Sequence, residues 1–531
     1  MEKTAPDTKQ KQHSIDDYIR IAVVGNVDSG KSTIVGVLTK NLLDDGRGSA
    51  RLRVFNYPHE ASNGRTSSIA QEIMGFDENG KQIFAEHFVQ SKNKYWSEVA
   101  AKSKKIVAMI DLCGHEKYLK TTMLGMVGLV PDYVMIVVGA NLGLSKMTKE
   151  HLGIALALNI PFFIVMTKVD MVPEEITKQT IAQLSKLLNT SVVNKRALVI
   201  DYKVPLGALQ KKTEPTIPTK ESKPKTDDGL TDILETKTNT NSKEKPGKIA
   251  ESIKNKDEQV PQMALPSDEE ELIQKAVTMI KSERVCPIFL VSSTEGYGIN
   301  ELTRFLYLLK SRTQDSKSFG DPDAPVQFDI HERFVVHGVG LVVSGLLKAG
   351  TVKPGMQMIL GPDKNNSYKQ VVIKSIHFNR VPVETGYAGQ FCCLGLKLAK
   401  KKEDLDKRDF RKGMVLLDSQ LMPQYCAGFE AEIAVLHHAT TIKIGYECVM
   451  HCGVVRQSVR IVGMDKELLR TGDNGKLIFK FMFNNEYIKP DTPFLLREGR
   501  TKILGVITKV FTKLEEATKN EVPVEKEKTG S

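Results

Sequence analysis

Apolar residues along this chain fall into two regimes. Between residues 19 and 318, the apolar runs Ile21–Val24, Lys105–Ile110, Tyr133–Val138, Pro161–Met166 and Cys286–Val291 alternate with stretches of helical spacing such as Thr33–Leu38 and Lys149–Asn159. Uninterrupted runs read as strands buried on both faces. Their alternation with helices predicts a doubly wound, mostly parallel α/β sheet, with ligands bound at the carboxyl ends of its strands. From about Pro325 the helical pattern stops. Short β-type runs follow: Phe334–Val336, Gly340–Ser344, Met356–Leu360, Val371–Ile376 and Phe391–Leu396, with turn signals such as Lys353-Pro354-Gly355 between them. A second series runs through Ala431–Leu436, Ser458–Val462, Lys476–Phe483 and Thr501–Val510. Two small antiparallel β-barrels are predicted, over 323–420 and 424–513.

Polar stretches mark the remainder. Residues 1–18 and 514–531 read as charged tails, and Asp44–Ser103 as a long polar region inside the α/β unit. Lys211–Val260 contains no aromatic residue and is dominated by Lys, Thr, Glu, Pro and Ser. Such a segment cannot bury enough apolar surface to offset its ordering entropy, so a disordered insertion is expected over about 204–268. Loop-closure cost grows slowly with length, so the insertion can divide the domain without breaking it. A lysine-rich arm that contacts RNA and a merely solvated loop both fit it.

Composition narrows the class. No apolar run reaches the roughly eighteen residues of a membrane helix, and the polar N-terminus, with Glu2, Asp7, Asp16 and Asp17, resembles neither a secretion signal nor a transit peptide. Seven scattered cysteines suit free thiols in a reducing compartment, and a cytoplasmic protein is expected. Cys448, His451 and Cys452 lack a second ligand pair at zinc spacing and read as core, as does Cys392-Cys393. The net charge of +11 favours contact with polyanions.

Four motifs stand at predicted strand ends. Gly25-Asn26-Val27-Asp28-Ser29-Gly30-Lys31-Ser32 has the spacing of a phosphate-binding loop between a strand and a helix. Its backbone N–H groups would face phosphate oxygens, Lys31 would reach the terminal phosphates, and Ser32 would ligate Mg²⁺. Thr33, next in the chain, is counted with this nucleotide-binding set. After Lys105–Ile110 comes Asp111-Leu112-Cys113-Gly114-His115: an Asp to hold Mg²⁺ through water, a Gly whose N–H can sense a γ-phosphate, and a His placed either to orient water or as a surface or capping residue. Thr167-Lys168-Val169-Asp170 offers a carboxylate for guanine N1–H and the 2-amino group, with Lys168 over the base. Ser292-Ser293 is placed for backbone contact to guanine O6. Within Gly64-Arg65-Thr66-Ser67-Ser68 one hydroxyl should complete the Mg²⁺ shell; Thr66 is the choice, with Ser67 and Ser68 as alternatives.

Taken in this order and followed by two barrels, the motifs resemble translational GTPases of the elongation factor Tu and elongation factor 1-alpha class. Thr148-Lys149-Glu150-His151, Gly338 to Gly345, Arg470-Thr471-Gly472-Asp473 and Leu496-Arg497-Glu498-Gly499-Arg500-Thr501 extend the likeness. Gly46-Arg47-Gly48, the Gly64–Ser68 string, Gly114 to Thr122 and Glu432-Ile433-x-Val435-Leu436-His437-His438 are similar to the GTP-binding protein 1 and 2 subfamily. The resemblance implies a P-loop GTPase domain that uses GTP, GDP and Mg²⁺ and hydrolyses slowly unless a partner stimulates it. Asn26 to Lys31 would hold phosphates, Ser32 and Thr66 the metal, and Asp111 its second shell. His115 would position water, Val27 would gate it, and Asp28 would help hold a monovalent cation. Implied partners are the ribosome, tRNA or mRNA, and decay or rescue factors, with no membrane and a monomeric chain. A GTP-gated adaptor in mRNA turnover, with little hydrolysis, is the alternative. A third reading, a metabolic G-subunit, is disfavoured by the His437-His438 and Gly64–Ser68 strings. Two departures stand out: Cys113 replaces a Pro, leaving the rigidity of that loop open, and Thr167 replaces an Asn, from which weaker nucleotide retention is expected.

Overall fold

The computed structural model describes residues 17–84, 92–201, 267–281, 284–312, 321–398 and 410–513, apart from the single residues 322, 338, 412, 422 and 500. The expected insertion, except its last two positions, and the tail from 514 lie outside the described residues, as do Gly338 and Arg500 of the family-like strings. An eight-stranded sheet contains β1 (Tyr18–Gly25), β2 (Ala70–Phe76), β3 (Gln82–Ile83), β4 (Lys105–Asp111), β5 (Tyr133–Gly139), β6 (Phe162–Thr167), β7 (Arg196–Ile200) and β8 (Val285–Leu290), in the order β3-β2-β4-β1-β5-β6-β8-β7. All pairings from β4 to β7 are parallel. β1 and β5 are buried along their whole length, as strands covered by helices on both faces must be. The register places Val23 beside Asp111, Gly25 beside Val137 and Gly139 beside Thr167, so the motif-bearing ends open on one edge.

Three features depart from the sequence reading. β1 begins at Tyr18, inside the expected tail, and a helix over Ser267–Lys281 begins inside the expected insertion. The region read as polar forms an antiparallel edge, β2 and β3, and a helix over Lys92–Lys102. Its Glu72 is fully buried, which period alone would forbid. Lys40 Nζ donates to one carboxylate oxygen at 2.8 Å, and Lys92 Nζ lies 2.6 Å from the other. A buried charge survives when paired.

The barrels match expectation. In the first, Gln357–Gly361, Val415–Asp418, Gln327–Val336, Gly340–Ala349, Phe391–Leu398 and Lys369–Phe378 pair in turn, and the last returns to the first. The second closes from Gly428–His437 through Asn474–Phe481, Val455–Met464, Glu447–Cys452, Pro493–Glu498 and Thr501–Phe511 around Phe429, Phe479, Phe481 and Phe494. All seven cysteines are free thiols; Cys392, Cys448 and Cys452 are buried in barrel cores. The barrels also touch the sheet domain. The Arg380 guanidinium lies 4.6 Å over the Trp96 ring, and Lys502 pairs with Glu150.

Candidate nucleotide site

The loop after β1 curls because its backbone permits it. Asp28 and Gly30 hold positive φ, 59° and 85°, and a Cβ on Gly25 would stand 2.2 Å from the Val137 carbonyl. Gly30 caps the Lys31–Lys40 helix without a side-chain bond, so the first N–H groups and the helix dipole remain for an anion. Lys31 is buried, and its Nζ donates to the Asn26 carbonyl at 2.7 Å. Burial pulls its pKa down, opposed by Asp111.

Beneath the loop three oxygens meet. Ser32 Oγ donates to Asp111 Oδ2 at 2.6 Å and lies 2.7 Å from Thr66 Oγ1, which donates to the same carboxylate oxygen at 3.2 Å. Asp111 Oδ1 is buried with no hydrogen-bond partner. Two hydroxyls and a carboxylate are hard oxygen donors, and the orphaned oxygen asks for a cation or water, so the cluster fits Mg²⁺. Among the described residues no group of three His, Cys, Asp or Glu side chains could hold a metal, so these hydroxyls and the nucleotide itself would have to share the work.

Burial pushes the Asp111 carboxyl up to about 6, against the pull of Lys31 and the two hydroxyls. The folded chain without ligand therefore holds this proton more tightly than the unfolded chain. Its contribution is full below the unfolded value near 3.8 and disappears as pH rises through 6. Relative to Asp111→Asn, the ligand-free protein is expected to lose about 2 kcal/mol of stability between pH 4 and pH 6. Urea titrations across that range check this; parallel curves for both proteins would refute it.

Thr66 reaches this cluster because Glu60 folds the segment around it. The buried Glu60 Oε1 accepts from the N–H groups of Ser67 and Ser68 at 2.8 and 2.9 Å and from their hydroxyls at 3.0 and 2.9 Å, while Oε2 accepts from the Asn56 N–H at 3.1 Å. Burial raises the Glu60 pKa, but these bonds outweigh it and the net shift is downward. Ser67 and Ser68 spend their hydroxyls here, which leaves Thr66 as the one facing Ser32. Removing the carboxylate with Glu60→Ala leaves several donors unmatched at about 1–3 kcal/mol each. Amide exchange over residues 64–69 is expected to rise at least about tenfold while β1 and β5 stay protected. Unchanged exchange would mean that the loop holds itself.

Gly114 lies against the loop: a Cβ there would be 2.4 Å from Lys31 Nζ and 2.7 Å from the Gly25 carbonyl. Cys113 keeps its segment in place without a proline. Its Sγ donates to the Ser68 carbonyl at 3.4 Å, and its carbonyl accepts from Thr122 Oγ1 at 2.7 Å. His115 is exposed, and its Nδ1 accepts from the Lys117 N–H at 3.0 Å, capping the 116–118 turn. In this structure its Nδ1 is therefore taken by the cap. Asp28 lies 3.8 Å from Arg65, whose charge competes with any monovalent cation.

One open cleft brings together Val27, Asp28, Gly30, Lys31, Ser32, Thr33, Thr66, Gly114 and His115, with Arg51 and Arg65. Thr167 to Asp170 and Ser292-Ser293 stand beside this cleft and do not line it. Thr167 Oγ1 donates to the Ser29 carbonyl at 2.7 Å, so the hydroxyl does tie the two loops by one bond. Lys168 has φ 61°. Thr294 Oγ1 donates to Asp170 Oδ2 at 3.1 Å and meets Ser292 Oγ at 3.0 Å. The Ser292 N–H is spent on the Tyr297 carbonyl at 2.9 Å, so it is not free for the expected O6 contact. Sequence reasoning missed Arg51, Glu60 and Thr294. Only the Gly46-Arg47-Gly48 string and the hydroxyl after Ser292-Ser293 hinted at them.

The elongation factor Tu GTP binding domain profile matches residues 16–311. GTP-binding protein 1 of Xenopus laevis is 37% identical over 513 residues, covering 97% of this chain and 66% of its own length. GTP-binding protein 2 of Homo sapiens is 34% identical over 493 residues, covering 93% and 69%. The chain thus spans about two thirds of these relatives' length. In fold it is similar to a bacterial selenocysteine-specific elongation factor, with TM-score 0.56 at 17% identity, over 95% of this chain and 61% of that one.

Proposed function

The chain belongs to the elongation factor Tu GTP binding domain family of GTPases, and on that premise we propose that it hydrolyses GTP to control its association with the translation machinery. The observation that carries the reading is the meeting of Ser32, Thr66 and Asp111 beside Lys31. A hydroxyl from a distant segment joins the phosphate-loop hydroxyl, an arrangement that a triphosphate would complete and a diphosphate would not. Lys31 and the N–H groups from Asn26 to Thr33 would balance and orient the phosphates. Magnesium, when bound, supplies charge neutralisation, with Ser32 and Thr66 as ligands and Asp111 behind them. The Gly114 N–H would bond the γ-phosphate, coupling that group to the Leu119–Gly128 helix. Asp170, steadied by Thr294, would select guanine, with Lys168 covering the base and Ser293 meeting O6.

His115 lines the same cleft as Lys31. For hydrolysis it would leave its capping bond, pass Val27 and orient water, a rearrangement that a docked partner would favour. The net charge of +11 and the paired barrels support a ribosome, tRNA or mRNA surface as that partner, with rescue or decay factors beyond it. A cytoplasmic, monomeric protein is part of this reading; among the described residues no helix is long and apolar enough to cross a membrane. The capped His115 favours a second reading, a GTP-gated adaptor with little turnover.

Single-turnover GTP hydrolysis with and without ribosomes, on the parent chain and His115→Ala, separates the two. Strong stimulation that the variant loses supports the ribosome-triggered enzyme. Tight GTP binding with no stimulation moves the assignment to the adaptor.

A further inference from the structure

We propose that Arg51 is a catalytic arginine carried by this chain itself, its guanidinium contacting the terminal phosphates and stabilising the charge that develops on them as GTP is hydrolysed. The inference rests on the GTPase reading above and adds a residue to that site. Arg51 stands on the short Ser49–Leu52 helix and lines the same cleft as Lys31, Thr66, Gly114 and His115.

Its position is built. The guanidinium lies between two glycines with positive φ, Gly48 at 96° and Gly64 at 64°. A Cβ on Gly48 would stand 2.4 Å from Arg51 Nε, and one on Gly64 would stand 3.2 Å from Nη2. A side chain at either position would crowd the guanidinium. The helix that carries Arg51 is fixed from both sides. The Asp44 carboxylate accepts from the N–H groups of Gly46, Gly48 and Ala50 at 3.0, 3.2 and 3.0 Å. On the other side the Ala50 carbonyl packs so closely on the phosphate-loop helix that a Cβ on Gly36 would come within 2.3 Å of it.

Its charge is unspent. Arg51 Nε is buried with no hydrogen-bond partner, and no carboxylate among the described residues pairs with this side chain. Elsewhere in the chain Arg304 pairs with Glu270 and Arg411 with Glu486. Within the cleft Arg65 lies near Asp28, and Lys31 is balanced by Asp111. Arg51 is therefore the cation that still lacks an anion, in the place where a triphosphate brings one. A guanidinium stays protonated throughout and offers a planar fork of donors suited to phosphate oxygens.

In the reaction a water oxygen bonds to the γ-phosphorus, and the bond from that phosphorus to the β–γ bridging oxygen breaks. GDP leaves with the electron pair. One water proton stays on the released phosphate and the other passes to solvent. Arg51 would donate to the γ-phosphate and bridging oxygens, where negative charge accumulates, the role of an arginine supplied in cis.

The test uses the full chain with and without ribosomes, comparing the parent protein with Arg51→Ala and Arg51→Lys under whichever condition gives the faster parent rate. Three quantities are read: single-turnover GTP hydrolysis, affinity for the non-hydrolysable analogue GppNHp, and formation of a GDP–aluminium fluoride complex followed with fluorescent GDP. Arg51→Ala is expected to slow hydrolysis about 10³-fold and to lose the aluminium fluoride complex, while GppNHp affinity changes by less than about tenfold. Arg51→Lys should recover little, because an ammonium lacks the planar fork. Hydrolysis near the parent rate in Arg51→Ala overturns the proposal, as does an equal loss of analogue affinity and rate, which would make Arg51 a ground-state clamp. If the parent protein binds neither GTP nor GDP, the GTPase reading itself fails, and Arg51 with it.

Discussion

Lys31→Ala is expected to lower GTP and GDP affinity by about 10²–10⁴-fold, the equivalent of removing one member of a buried, hydrogen-bonded charge network at about 3–5 kcal/mol. The side chain is buried, its Nζ is held by the Asn26 carbonyl, and the Asp111 carboxylate favours its charged form against that burial. Without the ammonium the phosphates would lose the cation buried beneath this loop, and Asp111 would repel them. Equilibrium titration with fluorescent GDP reads the effect directly. An affinity equal to the parent's would mean that the nucleotide does not lie along this loop.

The second large effect concerns stability. Arg411, just before the Val415–Asp418 strand of the first barrel, places Nη1 2.6 Å from Glu486 Oε2 in the second barrel, and Gln457 Nε2 donates to Oε1 at 2.5 Å. Burial pushes the Glu486 carboxyl up to about 7, with Arg411 pulling the other way. Arg411→Ala strands that carboxylate and is expected to cost about 3–5 kcal/mol at pH 8. The cost is largest above the folded pKa, where the carboxylate is charged, and falls as the pH drops below 7 and the group accepts a proton. Urea unfolding of the second barrel at pH 8 and pH 5.5 measures both parts. A small loss independent of pH would show that water already reaches Glu486.

The sequence reading succeeded where burial was uniform and failed where it was compensated. Ile21–Val24 and Tyr133–Val138 stand out because strands covered on both faces tolerate no polar residue. Ala70–Phe76 escaped notice because Gln71 and Glu72 interrupt it, and the lysines that make Glu72 tolerable come from positions 40 and 92. Thr66, Ser67 and Ser68 were chemically equivalent as letters. Glu60 separates them by binding two of the three. Thr167 keeps part of the link between the loops: its hydroxyl reaches the Ser29 carbonyl, a contact the letter alone could not place.

By itself the sequence determined the sheet class, the two barrels and the four loops at strand ends, because periodicity and glycine spacing act over a few neighbouring residues. It could not determine which side chains from distant segments share a cleft. Arg51 meets Gly64, and Asp111 meets Ser32 and Thr66, only after the strands have stacked. Whether each of those charges is paired or left for a ligand was decided by the fold, since desolvation and hydrogen bonding depend on what packs around a group and not on what precedes it in the chain.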